Sequence, residues 1–133
     1  MNELDEVKVG VIGRKVPFTV TEDMPITKAA DKMLREKVHS LIVIDAKGKP
    51  VGILDSWDVM KVTFMGESGK DMPVSKVLDK KKFFFVYEEV SLRDALNLML
   101  DKGVRSLPVL DENDKLIGKI SLTDIAQFVR EKL

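Results

Sequence analysis

The sequence has no cysteine, and of its 133 residues one is histidine, one tryptophan and one tyrosine. Without thiols there are no disulfides and no thiolate metal sites, and the composition fits a reducing compartment. One histidine, no cysteine and no coherent nucleophile–base pair leave no catalytic set, so a non-enzymatic role is expected. Charge of one sign is missing too: Lys plus Arg and Asp plus Glu number 22 each. No net positive field draws nucleic acid from a distance, and nucleic-acid binding is not expected. No apolar run approaches the ~18 residues of a membrane span. The N-terminus, Met1 to Glu6, lacks the basic start and apolar core of a signal peptide. A cytoplasmic protein that does not engage a membrane is expected.

What the sequence does have is a duplication. Shifting it by 66 positions lays Val38–Val59 over Val104–Ile125 without a gap, with eight of twenty-two positions identical, among them Leu41, Val43, Asp45, Gly52 and Asp58. Ordinary composition gives about one or two chance matches in such a window. The match continues upstream, pairing Val20 with Val86, Glu22 with Glu88, Ala29 with Ala95 and Met33 with Met99. A body of ~60 residues is marginal alone, whereas one near ~150 buries roughly 68–70% of its unfolded surface, so two half-length repeats are expected to share one module.

Each repeat reads strand, helix, strand, strand, helix. Val16 to Val20 forms a β-rich run, and Pro25 suits a first helical turn. From Ile26, the residues Ile26, Ala29, Ala30, Met33 and Leu34 follow the spacing of one buried helical stripe that ends near Lys37. Leu41 to Ile44 and Val51 to Leu54 are short apolar runs flanking a polar turn, a hairpin pattern, and Asp55 opens a second helix. In the other repeat Phe83 to Tyr87 reads as the strand. Ser91 with Asp94 forms a capping box, Leu92, Ala95, Leu96, Met99 and Leu100 form the stripe, and Gly103 sits at a C-terminal cap. Residues 1–10 are a lead-in, 11–65 the first repeat, 66–73 a linker and 74–131 the second repeat. The Gly66 to Asp71 segment resembles a phosphate loop but lacks its spacing and its Ser or Thr after the lysine.

The residues Leu107 to Asp111 with Gly118 to Asp124, and their counterparts Leu41 to Asp45 with Gly52 to Asp58, resemble the CBS domain, and the whole chain resembles a tandem CBS pair, or Bateman module. The resemblance implies an α+β fold of two pseudo-twofold related β-α-β-β-α CBS repeats packed through their sheets into one module. It also implies a non-catalytic regulatory sensor whose clefts bind AMP, ADP, ATP or S-adenosylmethionine, pairing of modules into a homodimer, and an unidentified client protein. By that resemblance the main nucleotide site comprises Gly118, Ser121, Asp124 and Arg105, completed by Val38, His39, Gly13 and Lys15. A second, weaker site comprises Asp58, Asp55, Val104, Pro108 and Lys81. No cofactor is obligatory and no metal site is implied.

Chemistry supports those residue types. A carboxylate accepts two hydroxyl donors, so Asp124 suits a ribose diol, while a helix start offers unpaired N–H groups to a phosphate that Arg105 neutralises. The plainer reading is that Ser121 with Asp124, and Asp55 with Asp58, simply cap helices. The Gly-terminated strand before each pair favours binding. In the first repeat Ile42 replaces Pro108 and Asp55 replaces Ser121; two carboxylates at one helix start repel phosphate, so unequal sites are expected. The alternative function, motivated by Asp55 and Ile42, is a structural dimerisation module with vestigial sites; Trp57 and Met60 read as core or dimer contacts rather than cofactor contacts. Lys80 to Lys82 with Phe83 to Phe85 could stack on single strands, but core and edge-strand roles account for them.

Overall fold

The computed structural model describes residues 3–13, 18–78 and 83–132. In chain order the elements are α1 (Glu3–Glu6), α2 (Val9–Ile12), β1 (Thr19–Thr21), α3 (Ile26–Glu36), β2 (Ser40–Ile44), β3 (Pro50–Asp55) and α4 (Ser56–Val62). A 3-10 stretch, Thr63–Gly69, follows, and then α5 (Val74–Val77), β4 (Val86–Tyr87), α6 (Leu92–Lys102), β5 (Ser106–Leu110), β6 (Leu116–Ser121) and α7 (Leu122–Lys132). The result is a mixed α+β fold with two three-stranded sheets, one per repeat. No helix among the described residues is long and apolar enough to cross a membrane.

Contacts divide the chain into two units, one of residues 18–78 and one that joins residues 3–13 to 84–132. In the first, β1 lies parallel to β2, with Val20 opposite Val43, and β2 runs antiparallel to β3, with Leu41 opposite Leu54. The second repeats this register: Val86 faces Val109 and Leu107 faces Ile120. Both hairpins carry an irregularity at the matching step, Val43/Ile44 and Val109/Leu110. The duplicated aspartates explain the shared turn. Asp45 Oδ1 accepts the N–H groups of Lys47 and Lys49 at 2.9 Å, and Asp111 Oδ1 accepts those of Asn113 and Lys115 at 2.9 Å. These identities are turn chemistry.

Each sheet is covered by its crossover helix. Ile26, Ala29 and Met33 of α3 are buried against Leu41, Val43 and Leu54; Leu92, Ala95 and Met99 of α6 against Leu107 and Ile120. The stripe is narrower than the sequence pattern suggests, since Leu34 and Leu100 are 79% and 67% exposed. A helix lying on one small sheet buries the i, i+3, i+7 row and leaves the i+8 residue at its flank. Both helices end on a left-handed residue, Lys37 (φ 55°) in α3 and Gly103 (φ 68°) in α6.

One further expectation is corrected and one narrowed. The strand read over Phe83 to Tyr87 is Val86–Tyr87 alone; Phe84 packs partly on the core, Lys102 Nζ sits 5.5 Å from its ring centroid, and Phe85 is 38% exposed. Of the core or dimer role expected of Trp57 and Met60, exposures of 67% and 53% exclude the core and leave the dimer contact as an expectation. The 66–73 linker carries the end of the 3-10 stretch, interrupted at Gly66 with φ 64°. Val16 of the expected first strand, and Lys80 to Lys82, lie outside the described residues.

The lead-in is folded. Val9 is fully buried in the core of Leu92, Met99 and Leu107, and its N–H donates to the Val90 carbonyl at 2.8 Å. Leu92 N–H donates to the Val7 carbonyl at 2.9 Å and Gly10 N–H to the Glu88 carbonyl at 3.1 Å. The segment before the second repeat makes the same bonds in the other unit: Val74 N–H to Met24, Ile26 N–H to Met72 and Ser75 N–H to Glu22. Val7, Val9 and Gly10 thus correspond to Met72, Val74 and Ser75, so the duplication extends into the lead-in with a 65-residue offset. Each short strip packs on the repeat that does not follow it.

Candidate functional site

Ser106 pairs with Ser121 at the open end of the second hairpin, and Leu122 N–H, the first of α7, donates to the Arg105 carbonyl at 2.9 Å. Arg105, Ser121 and Asp124 therefore meet at one helix start, with Val104 half-buried beside them and the Arg105 side chain exposed. Ser121 Oγ accepts the Asp124 N–H at 3.1 Å, and Asp124 Oδ2 accepts the Ser121 N–H at 2.9 Å. The capping role is real, and it engages Oδ2.

The first repeat builds the same box from two acids. Asp58 Oδ2 accepts the Asp55 N–H at 2.9 Å and Asp55 Oδ1 accepts the Asp58 N–H at 3.0 Å, while Ser56 N–H donates to the His39 carbonyl at 3.1 Å. Lys61 Nζ lies 3.6 Å from Asp58 Oδ1, and the Asp58 side chain is 13% exposed. Burial pushes the Asp58 carboxyl above its ordinary 3.8, and the Asp55 carboxylate adds to the rise, against the Asp55 N–H and Lys61, which oppose it. The folded state thus holds this proton more tightly than the unfolded chain. The group is most favourable to folding below pH 3.8, and stability is lost as pH rises through its raised pKa.

Replacing Asp55 by serine copies the second repeat, keeps an acceptor for the cap and removes the facing charge. In Asp55→Ser, the Asp58 pKa is expected to move down toward the ordinary value without reaching it, because burial remains. Carboxyl-carbon NMR titration reads this directly; an unmoved pKa would mean that burial alone sets it.

A cavity of about 470 Å³ opens in the unit of residues 3–13 and 84–132, lined by Gly10, Gly13, Glu88, Val109, Leu116, Ile117 and Gly118. Two expected site residues, Gly13 and Gly118, line it. Gly13 joins it because α2 folds onto the second hairpin: a Cβ there would lie 3.5 Å from Val109 Cγ2 and 3.6 Å from the Lys119 carbonyl oxygen. Gly118 lies three residues before Ser121 on β6, about 10 Å along an extended strand. Pro108 is buried in β5, opposite Lys119. Val38, His39, Asp55 and Asp58 belong to the other unit, and Lys15 and Lys81 lie outside the described residues. Gly10, Glu88, Val109, Leu116 and Ile117 were not foreseen. The pairing of Glu22 with Glu88 in the duplication was the available signal for one of them.

The CBS domain family matches residues 9–64 and 71–131. An uncharacterised protein of Methanopyrus kandleri is 32% identical over 122 residues, covering 91% of this chain, which spans 62% of that relative's length. Among solved structures, the CBS domain pair of protein MJ0100 in complex with 5′-methylthioadenosine and S-adenosyl-L-methionine is similar at a TM-score of 0.83 and 23% identity, covering 96% of this chain and 98% of that one. CBSX2 in complex with AMP is similar at a TM-score of 0.82 and 23% identity, covering 94% and 97%. At these identities the structures speak for the fold. With matches over both halves and the same register in both sheets, the chain belongs to the CBS domain family and carries two consecutive repeats of it.

Proposed function

We propose that the chain is a non-catalytic regulatory sensor for an adenosine-containing ligand, AMP, ADP, ATP or S-adenosylmethionine, held by the unit that contains Asp124. The observation that carries this is the 470 Å³ cavity between Gly13 and Gly118, a volume within the ~300–1,000 Å³ of small-molecule sites, on the same strand as Ser121. The purine enters the cavity between the two glycines. The ribose diol meets Asp124, whose Oδ1 is not needed by the cap, and an anionic tail faces the α7 start and Arg105. Similar structures that hold AMP, or S-adenosylmethionine with 5′-methylthioadenosine, support this ligand class. Val38, His39 and Lys15 remain candidate contributors to this site, and Asp58, Asp55, Val104, Pro108 and Lys81 to a weaker second one. A cytoplasmic setting fits both the ligands and the lack of cysteine.

Dialysed protein is expected to melt at higher temperature with at least one of these compounds, by the ~2.7 kcal/mol that a ligand at a hundred times its Kd contributes. Mass spectrometry of small molecules released from freshly purified protein identifies which. Indifference to all four ends the proposal.

A second reading, a structural dimerisation module, draws on the exposed apolar residues at and after α4. Trp57, Met60, Phe64 and Met65 are 67%, 53%, 90% and 51% exposed, and a homodimer covering them belongs to either reading. Sedimentation velocity separates the two: pairing that ignores every nucleotide, in protein that binds none, favours the structural role. The ligand acts on an unidentified client protein only through its differential affinity for two poses.

A further inference from the structure

The two units differ at the residue that ends each short strip, Gly13 in one and Leu78 in the other. Gly13 ends α2 and Leu78 ends α5; each N–H donates to the carbonyl four residues back, Val9 and Val74. Their backbones are nearly superimposable, φ −64° and ψ 145° for Gly13 against φ −69° and ψ 142° for Leu78. Glycine is therefore not required at residue 13 for its conformation, because any residue adopts those angles. A Cβ there would press on the Val9 carbonyl oxygen at 3.1 Å, and without one Gly13 and Gly118 both line the cavity.

In the other unit that space is taken. Leu78 lies on Gly52, the counterpart of Gly118, so closely that a Cβ on Gly52 would meet Leu78 Cδ1 at 2.8 Å. Leu78 is half-buried and packs on the core of Leu41, Val43 and Leu54, with Val51, the counterpart of the cavity-lining Ile117, beside the same core. We infer that Leu78 is a built-in plug: the residue ending each short strip selects whether its unit has a ligand-sized cleft, and this chain is built to hold one. Read with the adenosine-sensor proposal, on which only this last step rests, it closes the weaker second site and sets the ligand stoichiometry at one per chain. The sealing is steric and so precedes any effect of the charge of Asp55 and Asp58 on ligand choice.

The cysteine-free chain permits a test that needs no ligand. Single cysteines at Ile117 and Val51 are labelled with dithiobis(nitrobenzoate) under native conditions. Ile117→Cys is expected to react at least tenfold faster than Val51→Cys. Adding Leu78→Gly, or Leu78→Ala if the glycine variant does not fold by circular dichroism, is expected to accelerate Val51→Cys at least tenfold and leave Ile117→Cys unchanged. Gly13→Leu is expected to slow Ile117→Cys. Equal rates at the two positions, or rates indifferent to residues 13 and 78, overturn the plug. Calorimetry with AMP and with S-adenosylmethionine then reads stoichiometry: one site in the native chain and none in Gly13→Leu support the inference, and two in the native chain overturn it. No binding by the native chain, with the labelling contrast intact, defeats the adenosine reading and leaves the plug standing.

Discussion

Asp124→Ala is expected to weaken AMP binding about 10- to 150-fold, whereas Asp58→Ala leaves it within twofold. The figure is what a hydrogen-bonding partner of charged character is worth, ~1.5–3 kcal/mol, converted at 1.4 kcal/mol per decade. The same substitution removes the acceptor of the Ser121 N–H, 2.9 Å from Oδ2, so it also costs about 1 kcal/mol of stability. The two losses are separable. Asp124→Asn keeps an oxygen for the cap but gives up the charge, so it is expected to recover most of the melting temperature and little of the affinity. Isothermal titration alongside thermal denaturation of the three variants makes the comparison. Equal losses of affinity in Asp124→Ala and Asp58→Ala would contradict a site built on the second repeat.

The largest effect on stability is expected at Leu107. It is fully buried as the second residue of β5, opposite Ile120, in a core that also holds Val9, Leu92 and Met99. Leu107→Ala is expected to cost about 2–5 kcal/mol, the range for a leucine deleted from a close-packed core that relaxes only in part. Against a total of ~5–15 kcal/mol, that leaves a marginal protein. Leu41, its counterpart opposite Leu54, is as deeply buried and is expected to behave alike. Leu100→Ala is the control: its side chain is 67% exposed, and a change within about ±0.5 kcal/mol is expected. Urea denaturation measures all three, and a cost below ~1 kcal/mol at Leu107 would contradict the core described above.

What was legible in the residues were features with local causes or with two copies. The helices over Ile26 and Leu92 announced themselves by apolar spacing, and the α6 cap by Ser91 and Gly103. The hairpins showed themselves because Leu41 to Ile44 and Leu107 to Leu110 recur with their turn aspartates. What stayed hidden depends on distant partners. Val9–Ile12 is one turn long, too short to display a 3.6-residue period, and its burial is set by residues about eighty positions away. The role of Gly13 as a wall of the cavity is invisible without the fold, since a glycine at φ −64° carries no local signature. Leu78 was missed because the strips align at a 65-residue offset while the repeats align at 66. The helix starts were legible as residue pairs but ambiguous in role, because capping and ribose binding call on the same oxygen-bearing side chains.

The crossing of the strips bears on how such a chain matures during translation. Residues 3–13 are made before the rest of their unit, yet the hydrophobic slot for Val9 is completed only by Leu107, Ile120 and Phe128, about a hundred residues later. At ~5–20 residues per second, the nascent strip waits roughly 6–25 s with its apolar side chains bare, while the strip around Val74 finds its own slot already synthesised. The first half can thus settle as it emerges, and the second closes only after Phe128 has been made, drawing an early-made strip onto late-made strands and a helix.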